Sequence, residues 1–169
     1  RSADAAARRF QKTVKLRIER WTGQAGVAER LAAWHVREWG HLFAGWNEQA
    51  AIGEFMAQAT IVGLPATWLA FDGEVLIGSI SALLEDAPEL NDIAGPWLDS
   101  FYIVPEARGQ GAAQALMTTA AHGVAALGYA EWFLFTPKHG EYYARSGWQQ
   151  LQQRTLHGET VAVMAQQLP

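Results

Sequence analysis

Hydrophobic and polar residues alternate at the start of the chain and give way to a longer period soon after. Val14, Leu16 and Ile18 alternate with Lys15, Arg17 and Glu19, which predicts a strand with one wet face over Val14 to Trp21, ended by Thr22-Gly23. Helical spacing follows over Gly26 to Gly40 and again from Asn47, an N-cap, to Thr60, with Gly63-Leu64-Pro65 as the stop. At about 100° per residue the first helix gathers Val27, Leu31, Trp34, Glu38 and Leu42 on one face. The second carries Ile52, Phe55, Met56 and Ala59 on one stripe. Ala66 to Phe71 and Glu74 to Leu84 read as a hairpin turned at Asp72-Gly73, and Pro88 to Pro96 as a loop. Trp97 to Val104 is a central strand. Behind it Ala113, Leu116, Met117, Ala120, Val124 and Leu127 recur at helical spacing before Gly128. A strand over Ala130 to Phe135, a short helix over Glu141 to Ser146 and a hairpin complete the chain. That hairpin runs from Trp148 to Thr155, turns at His157-Gly158 and returns over Thr160 to Ala165. The order β-α-α-β-β-β-α-β-α-β-β describes an α/β chain with a mixed sheet.

Composition supports one such domain. The chain has 169 residues, half of them hydrophobic, with eight Trp, seven Phe and four Tyr, enough for an ordered core. Residues 14–169 are expected to form it, and residues 1–13, rich in Ala and Arg, a flexible or processed N-terminal extension. Net charge is −4, and past the first dozen residues no Lys/Arg block occurs, which argues against nucleic acid and membrane surfaces as partners. Without a span-length apolar stretch or a secretory segment, the expected location is cytoplasmic. Cysteine is absent, so thiol nucleophiles, disulfides and thiolate metal sites are excluded together.

Chemistry enters at Arg108 to Ala113, which read R-G-Q-G-A-A between the central strand and the next helix. Gly109 and Gly111 lack the Cβ atoms that would hold a ligand off the backbone, and N–H groups at a helix start form an anion site. A pyrophosphate is the natural guest. A dinucleotide fingerprint would put its third glycine where Gln114 stands, and a Walker loop needs a Gly-Lys pair that the chain lacks. The remaining alternative is a glycine turn that merely packs helix on strand.

The loop resembles that of the GNAT superfamily of acyl-CoA-dependent N-acetyltransferases, Q/R-x-x-G-x-G/A, with Arg108 in the first position, Gly111 in the fourth and Ala113 in the sixth. The element order is also similar. The resemblance implies a sheet flanked by helices whose two central parallel strands splay apart, and acetyl-CoA as co-substrate, cradled by Arg108, Gly109, Gln110, Gly111, Ala112 and Ala113. It further implies that the backbone of Ile103 and Val104 meets the pantetheine arm and polarises the thioester. Glu141-Tyr142-Tyr143-Ala144-Arg145-Ser146-Gly147-Trp148 resembles the family's second signature, with Tyr143 on its tyrosine.

A phenol near pKa 10 keeps its proton at neutral pH and can serve the leaving thiolate as general acid, so Tyr143 is a candidate catalytic residue; its alternative is simple packing. An alkylamine is mostly protonated at pH 7, and freeing it takes about 4 kcal/mol and a base. Candidates are Glu38, as a further catalytic group, with His35, Asp99 and Ser100 as substrate-binding residues, and Glu85. Glu38 interrupts an apolar stripe beside His35, and a helix in this position borders the acceptor entrance of the resembled fold. The bland reading is a structural His-Glu pair. Asp99 and Ser100 are expected on opposite faces of the strand, and the carboxylate that some family members keep near Leu98 is missing. Three metal ligands cannot be assembled around His35 and Glu38, so no metal is expected. The expectation is direct acetyl transfer to a small-molecule or peptide amine by a monomer or homodimer. The competing one is an acyl-CoA sensor without turnover, against which Tyr143 argues.

Overall fold

The computed structural model describes residues 14–60 and 62–169, so the expected N-terminal extension lies outside the described residues. Strand β1 (Leu16–Arg20) is followed by helices α1 (Val27–Trp39) and α2 (Glu48–Gln58), then by β2 (Ala66–Asp72), β3 (Val75–Leu83) and β4 (Trp97–Ile103). Helix α3 (Ala112–Ala125), β5 (Glu131–Thr136), α4 (Gly140–Arg145), β6 (Gln149–Leu156) and β7 (Glu159–Gln167) complete it. The order is the one the periodicity predicts. Local chemistry explains the boundaries: Asn47 accepts from the Ala50 N–H at 3.0 Å and caps α2, while Asp72-Gly73 turns the β2–β3 hairpin.

The seven strands form one mixed sheet in the order β1-β2-β3-β4-β5-β7-β6. Neighbours are antiparallel except β4 and β5, which run parallel and share a rung only where Trp97 faces Phe133, the Phe133 N–H reaching Pro96 O at 2.9 Å. Beyond that rung the two strands part toward their C-terminal ends.

Alternation along the strands sends residues to two faces. One face packs Trp68, Ile80, Leu98, Trp132, Leu134 and Met164 beneath Leu116, Met117, Ala120 and Val124 of α3. The other face carries two separate clusters. Leu69, Leu76 and Tyr102 pack with Leu31, Trp34 and Phe55 of α1 and α2, whereas Trp97 and Phe133 pack with Leu90, Leu156, Val161 and Val163. Trp21, Trp97 and Trp132 are at most 1% exposed. Each removes about 200 Å² from water, ~5 kcal/mol of gross hydrophobic stabilisation.

Three expected positions are corrected. In α2 the buried residues are Ala51 and Phe55, while Met56 is 52% exposed. Helix α1 ends at Trp39 and tightens into a 3₁₀ turn over Gly40–Leu42, so Leu42 leaves the apolar face. Glu38 lies in the last turn of α1 and is exposed, the buried residues being Val27, Ala28, Leu31, Ala32, Trp34 and His35. In that last turn the packing comes from Trp39, against His35 and Tyr102, and Glu38 faces solvent.

Candidate functional site

The parting of β4 from β5 opens a gap through the sheet, and chemistry-bearing residues collect around it. On the α3 side, Gly109 (φ +73°) and Gly111 (φ +90°) take left-handed conformations that side chains disfavour, with open space where each Cβ would stand. Gly111 caps α3, whose first intrahelical bond is Ala115 N–H to Gly111 O at 3.1 Å. The N–H groups of Ala112, Ala113 and Gln114 therefore precede the ladder and point outward with the positive end of the helix dipole. The loop thus has the geometry of an anion cradle. The Arg108 side chain fastens the loop to the end of β4: its Nε donates to Ile103 O at 2.9 Å and its guanidinium lies 5.6 Å from the Tyr102 ring.

The end of β4 corrects one expectation. The Val104 N–H donates to Ile77 O at 2.9 Å, so it is spent within the sheet. Ile103, opposite Gly78, falls at the alternate position of the antiparallel ladder, with its N–H directed away from β3 and toward the gap. Of the two expected donors, Ile103 is the one available to a thioester oxygen.

A bulge reshapes the middle of β4. The register slips between Ser79 and Ser81, and Ser100 adopts φ +51°. Strict alternation would separate Asp99 from Ser100; instead the Ser100 hydroxyl donates to Asp99 Oδ2 at 2.8 Å. The bulge also turns the Ser100 carbonyl toward α1, where His35 Nε2 meets it at 3.1 Å and Nδ1 lies 2.8 Å from Leu31 O. His35 is 2% exposed, ringed by Trp39, Phe55 and Tyr102, and burial lowers its pKa. Both ring nitrogens thus face backbone carbonyls, and the ring fastens α1 to the bulge of β4.

Asp86, in the connection from β3 to β4, was missed by sequence reasoning, which singled out its exposed neighbour Glu85. Its Oδ2 is buried without a hydrogen-bond partner. Burial, reinforced by the negative charge of Asp99, pushes its carboxyl up to about 8. The pattern gave no signal because burial here comes from other elements. Tyr143 of α4 completes the group. It is half-buried, edge-on to Tyr142 at 5.2 Å and Trp148 at 6.0 Å, and its hydroxyl has no partner among the described residues. Burial, with smaller effects of Tyr142 and Asp99, raises its pKa, so the phenol is protonated across the neutral range. Asp99 is within electrostatic reach of both Asp86 and Tyr143, and Glu38 is within reach of His35.

Two surface grooves, of about 230 and 370 Å³, have other linings, the first Gln114, Met117 and Gln166, the second Arg30, Glu74 and Leu76. Among the described residues no group of three His, Asp or Glu could hold a metal ion, and no helix is long and apolar enough to cross a membrane.

No individual curated protein matches the chain. Solved structures share its fold. An aminoglycoside 6'-N-acetyltransferase complexed with coenzyme A superposes with a TM-score of 0.71 at 15% identity, covering 90% of this chain and 98% of that one. A GNAT-family acetyltransferase from Streptococcus pneumoniae gives 0.67 at 15% identity, over 92% and 100% of the two chains. N-acetylglutamate synthase from Neisseria gonorrhoeae, complexed with coenzyme A and N-acetyl-glutamate, gives 0.67 at 12% identity over 90% of this chain and 35% of that longer one. The family model of the acetyltransferase (GNAT) domain matches residues 65–150, slightly over half of the sequence, and spans the glycine loop, the bulged strand and Tyr143. With the parted parallel strands, this match makes the chain a member of the GNAT acetyltransferase family.

Proposed function

We propose that this protein moves an acetyl group from acetyl-CoA to the primary amine of a small molecule or peptide, by direct attack within a ternary complex. The observation that carries the reading is the gap beyond the Trp97–Phe133 rung, with an anion cradle toward α3 and two carboxyl groups and a phenol beside it. Two substrates can meet through such a gap from opposite faces of the sheet, which needs no covalent enzyme intermediate. The fold likeness to structures crystallised with coenzyme A supports the donor.

In this reading the N–H groups at the start of α3 bind the pyrophosphate, and Ile103 N–H binds the thioester oxygen. Asp99, steadied by the Ser100 hydroxyl, receives the acceptor as an ammonium ion and takes its proton. Asp86 stands within electrostatic reach of that base, its own carboxyl raised by burial and then by the negative charge of Asp99. The amine lone pair then forms the C–N bond, and the carbonyl electrons move to the oxygen held by Ile103. As the carbonyl re-forms and the C–S bond breaks, the Tyr143 hydroxyl donates a hydrogen bond to the thiolate, and the second proton of the nitrogen passes to that sulfur, leaving the amide and the free thiol. Since its pKa lies above that of a thiol near 8.5, the phenol acts by stabilising the developing charge while the bond breaks. Glu38, in solvent one turn beyond His35, remains a proposed rim group that attracts the ammonium ion.

A panel of alkylamines, peptides and aminoglycosides, assayed for acetyl-CoA-dependent thiol release, tests the reading. Release with at least one class supports it. Tight acetyl-CoA binding with no release from any amine would instead identify a sensor.

A further inference from the structure

We propose that the acceptor amine reaches Asp99 by threading beneath an aromatic bridge from Phe43 to His157, which admits a slender linear alkylammonium group and turns away amines carried on rings. The inference rests on the transferase reading and adds the shape of the acceptor. It starts from the face of the sheet opposite α3, where the α1/α2 cluster ends at Tyr102 and the hairpin cluster begins at Trp97. Asp99 pairs with Ser81, whose hydroxyl meets Gln58 of α2, so it sits on this same face, along β4 between Trp97 of one cluster and Tyr102 of the other.

Phe43, from the connection between α1 and α2, and His157, from the β6–β7 turn, join the sides of these two clusters. Their ring centroids are 5.5 Å apart and nearly perpendicular at 86°. Each end of the span is anchored. Phe43 packs edge-on to Trp46 at 5.9 Å, and the Trp46 indole N–H donates to the Glu54 carboxylate of α2 at 3.1 Å. On the other side Arg154 of β6 bonds the Asp92 carboxylate and reaches Glu89 O at 3.3 Å, tying the hairpin to the loop before β4.

The turn carries independent information. His157 (φ +49°) and Gly158 (φ +81°) are successive left-handed residues, as in a type I′ turn, where Asn-Gly is the unstrained choice. Histidine is among the side chains that tolerate the left-handed region, and here its ring is the one that meets Phe43. Phe43 stays 41% exposed, a large apolar side chain kept at the surface. A roof fixed at both ends with a carboxylate beneath it suits a cation on a narrow stem and obstructs a bulky polycyclic amine.

The test measures thiol release by the native protein, Phe43→Ala and His157→Asn with 1,5-diaminopentane and with kanamycin. His157→Asn preserves the turn, so it separates loss of the bridge from loss of the fold. The native protein is expected to favour the diamine in kcat/KM at least about tenfold, and both variants to narrow that ratio by about tenfold, chiefly by gaining on kanamycin. In NMR spectra the His157 ring protons should carry a ring-current shift from Phe43 that is lost in Phe43→Ala. A native preference for kanamycin, a ratio unchanged in both variants, or a native spectrum without the ring shift would each overturn the bridge as a selector. Acetyl-CoA binding without release from any amine would overturn the transferase reading and this proposal together.

Discussion

The imidazole of His35 holds the carbonyl of Ser100 across 3.1 Å, joining α1 to the bulge of β4 in a buried, aromatic setting. A neutral imidazole has one N–H and here faces two carbonyl oxygens, so the bond to Ser100 depends on the tautomer with the proton on Nε2.

His35→Phe keeps the aromatic contacts and deletes the tether. Leaving a buried carbonyl without its donor should lower stability by about 1–3 kcal/mol in urea denaturation, with a fall in turnover because Asp99 adjoins Ser100. Equal stability of the two proteins would show that the tether contributes nothing. Since burial lowers the His35 pKa, the unfolded chain binds more protons than the folded one near and below pH 6.5. This group's contribution is therefore lost as the pH falls through that range, and His35→Phe should flatten the acid side of the stability profile.

Asp86 has the opposite sign. Its carboxyl is raised from 3.8 to about 8, so between those values the folded state holds more protons and stability declines as the pH rises. Asp86→Asn should remove that decline and raise the melting temperature at pH 8 by several degrees, about the response to ~1 kcal/mol. The pH dependence of kcat/KM should also change, because the carboxyl removed is the one that titrates beside the proposed base. Superimposable pH–rate profiles would separate Asp86 from the base.

Gly111 tests the anion cradle. Its Cβ position is open, so Gly111→Ala meets no clash and carries only the penalty of φ +90°, about 1–2 kcal/mol. Gly111→Asp adds a carboxylate where the pyrophosphate is proposed to sit. Calorimetry with acetyl-CoA should show modest weakening for alanine and a loss of at least about a hundredfold for aspartate. Similar affinities for the two variants would place the phosphates elsewhere.

Tyr143→Phe removes one hydroxyl and leaves the packing against Tyr142 and Trp148. Turnover should fall by about ten- to a thousandfold, with acetyl-CoA affinity and melting temperature nearly unchanged. A wild-type rate, measured where chemistry limits turnover, would mean that water, not Tyr143, stabilises the departing thiolate.

Sequence patterns within a few residues determined the framework: the hairpin turn at Asp72-Gly73, the stripe of α3, the glycine loop ahead of it and the Tyr143 segment. Turn chemistry and periodicity act between near neighbours, so these features survive in any fold that contains them. Tertiary structure decided the rest. A single inserted residue at Ser100 shifts the register, bringing Asp99 and Ser100 together where alternation would part them. Ladder phase made Ile103 rather than Val104 the free donor, since the acceptor for Val104 belongs to β3. Glu38 ended in solvent and Asp86 under cover because burial depends on which elements arrive from far along the chain. The pairing of Phe43 with His157 across two loops follows from the same cause, since nothing in either local sequence names the other.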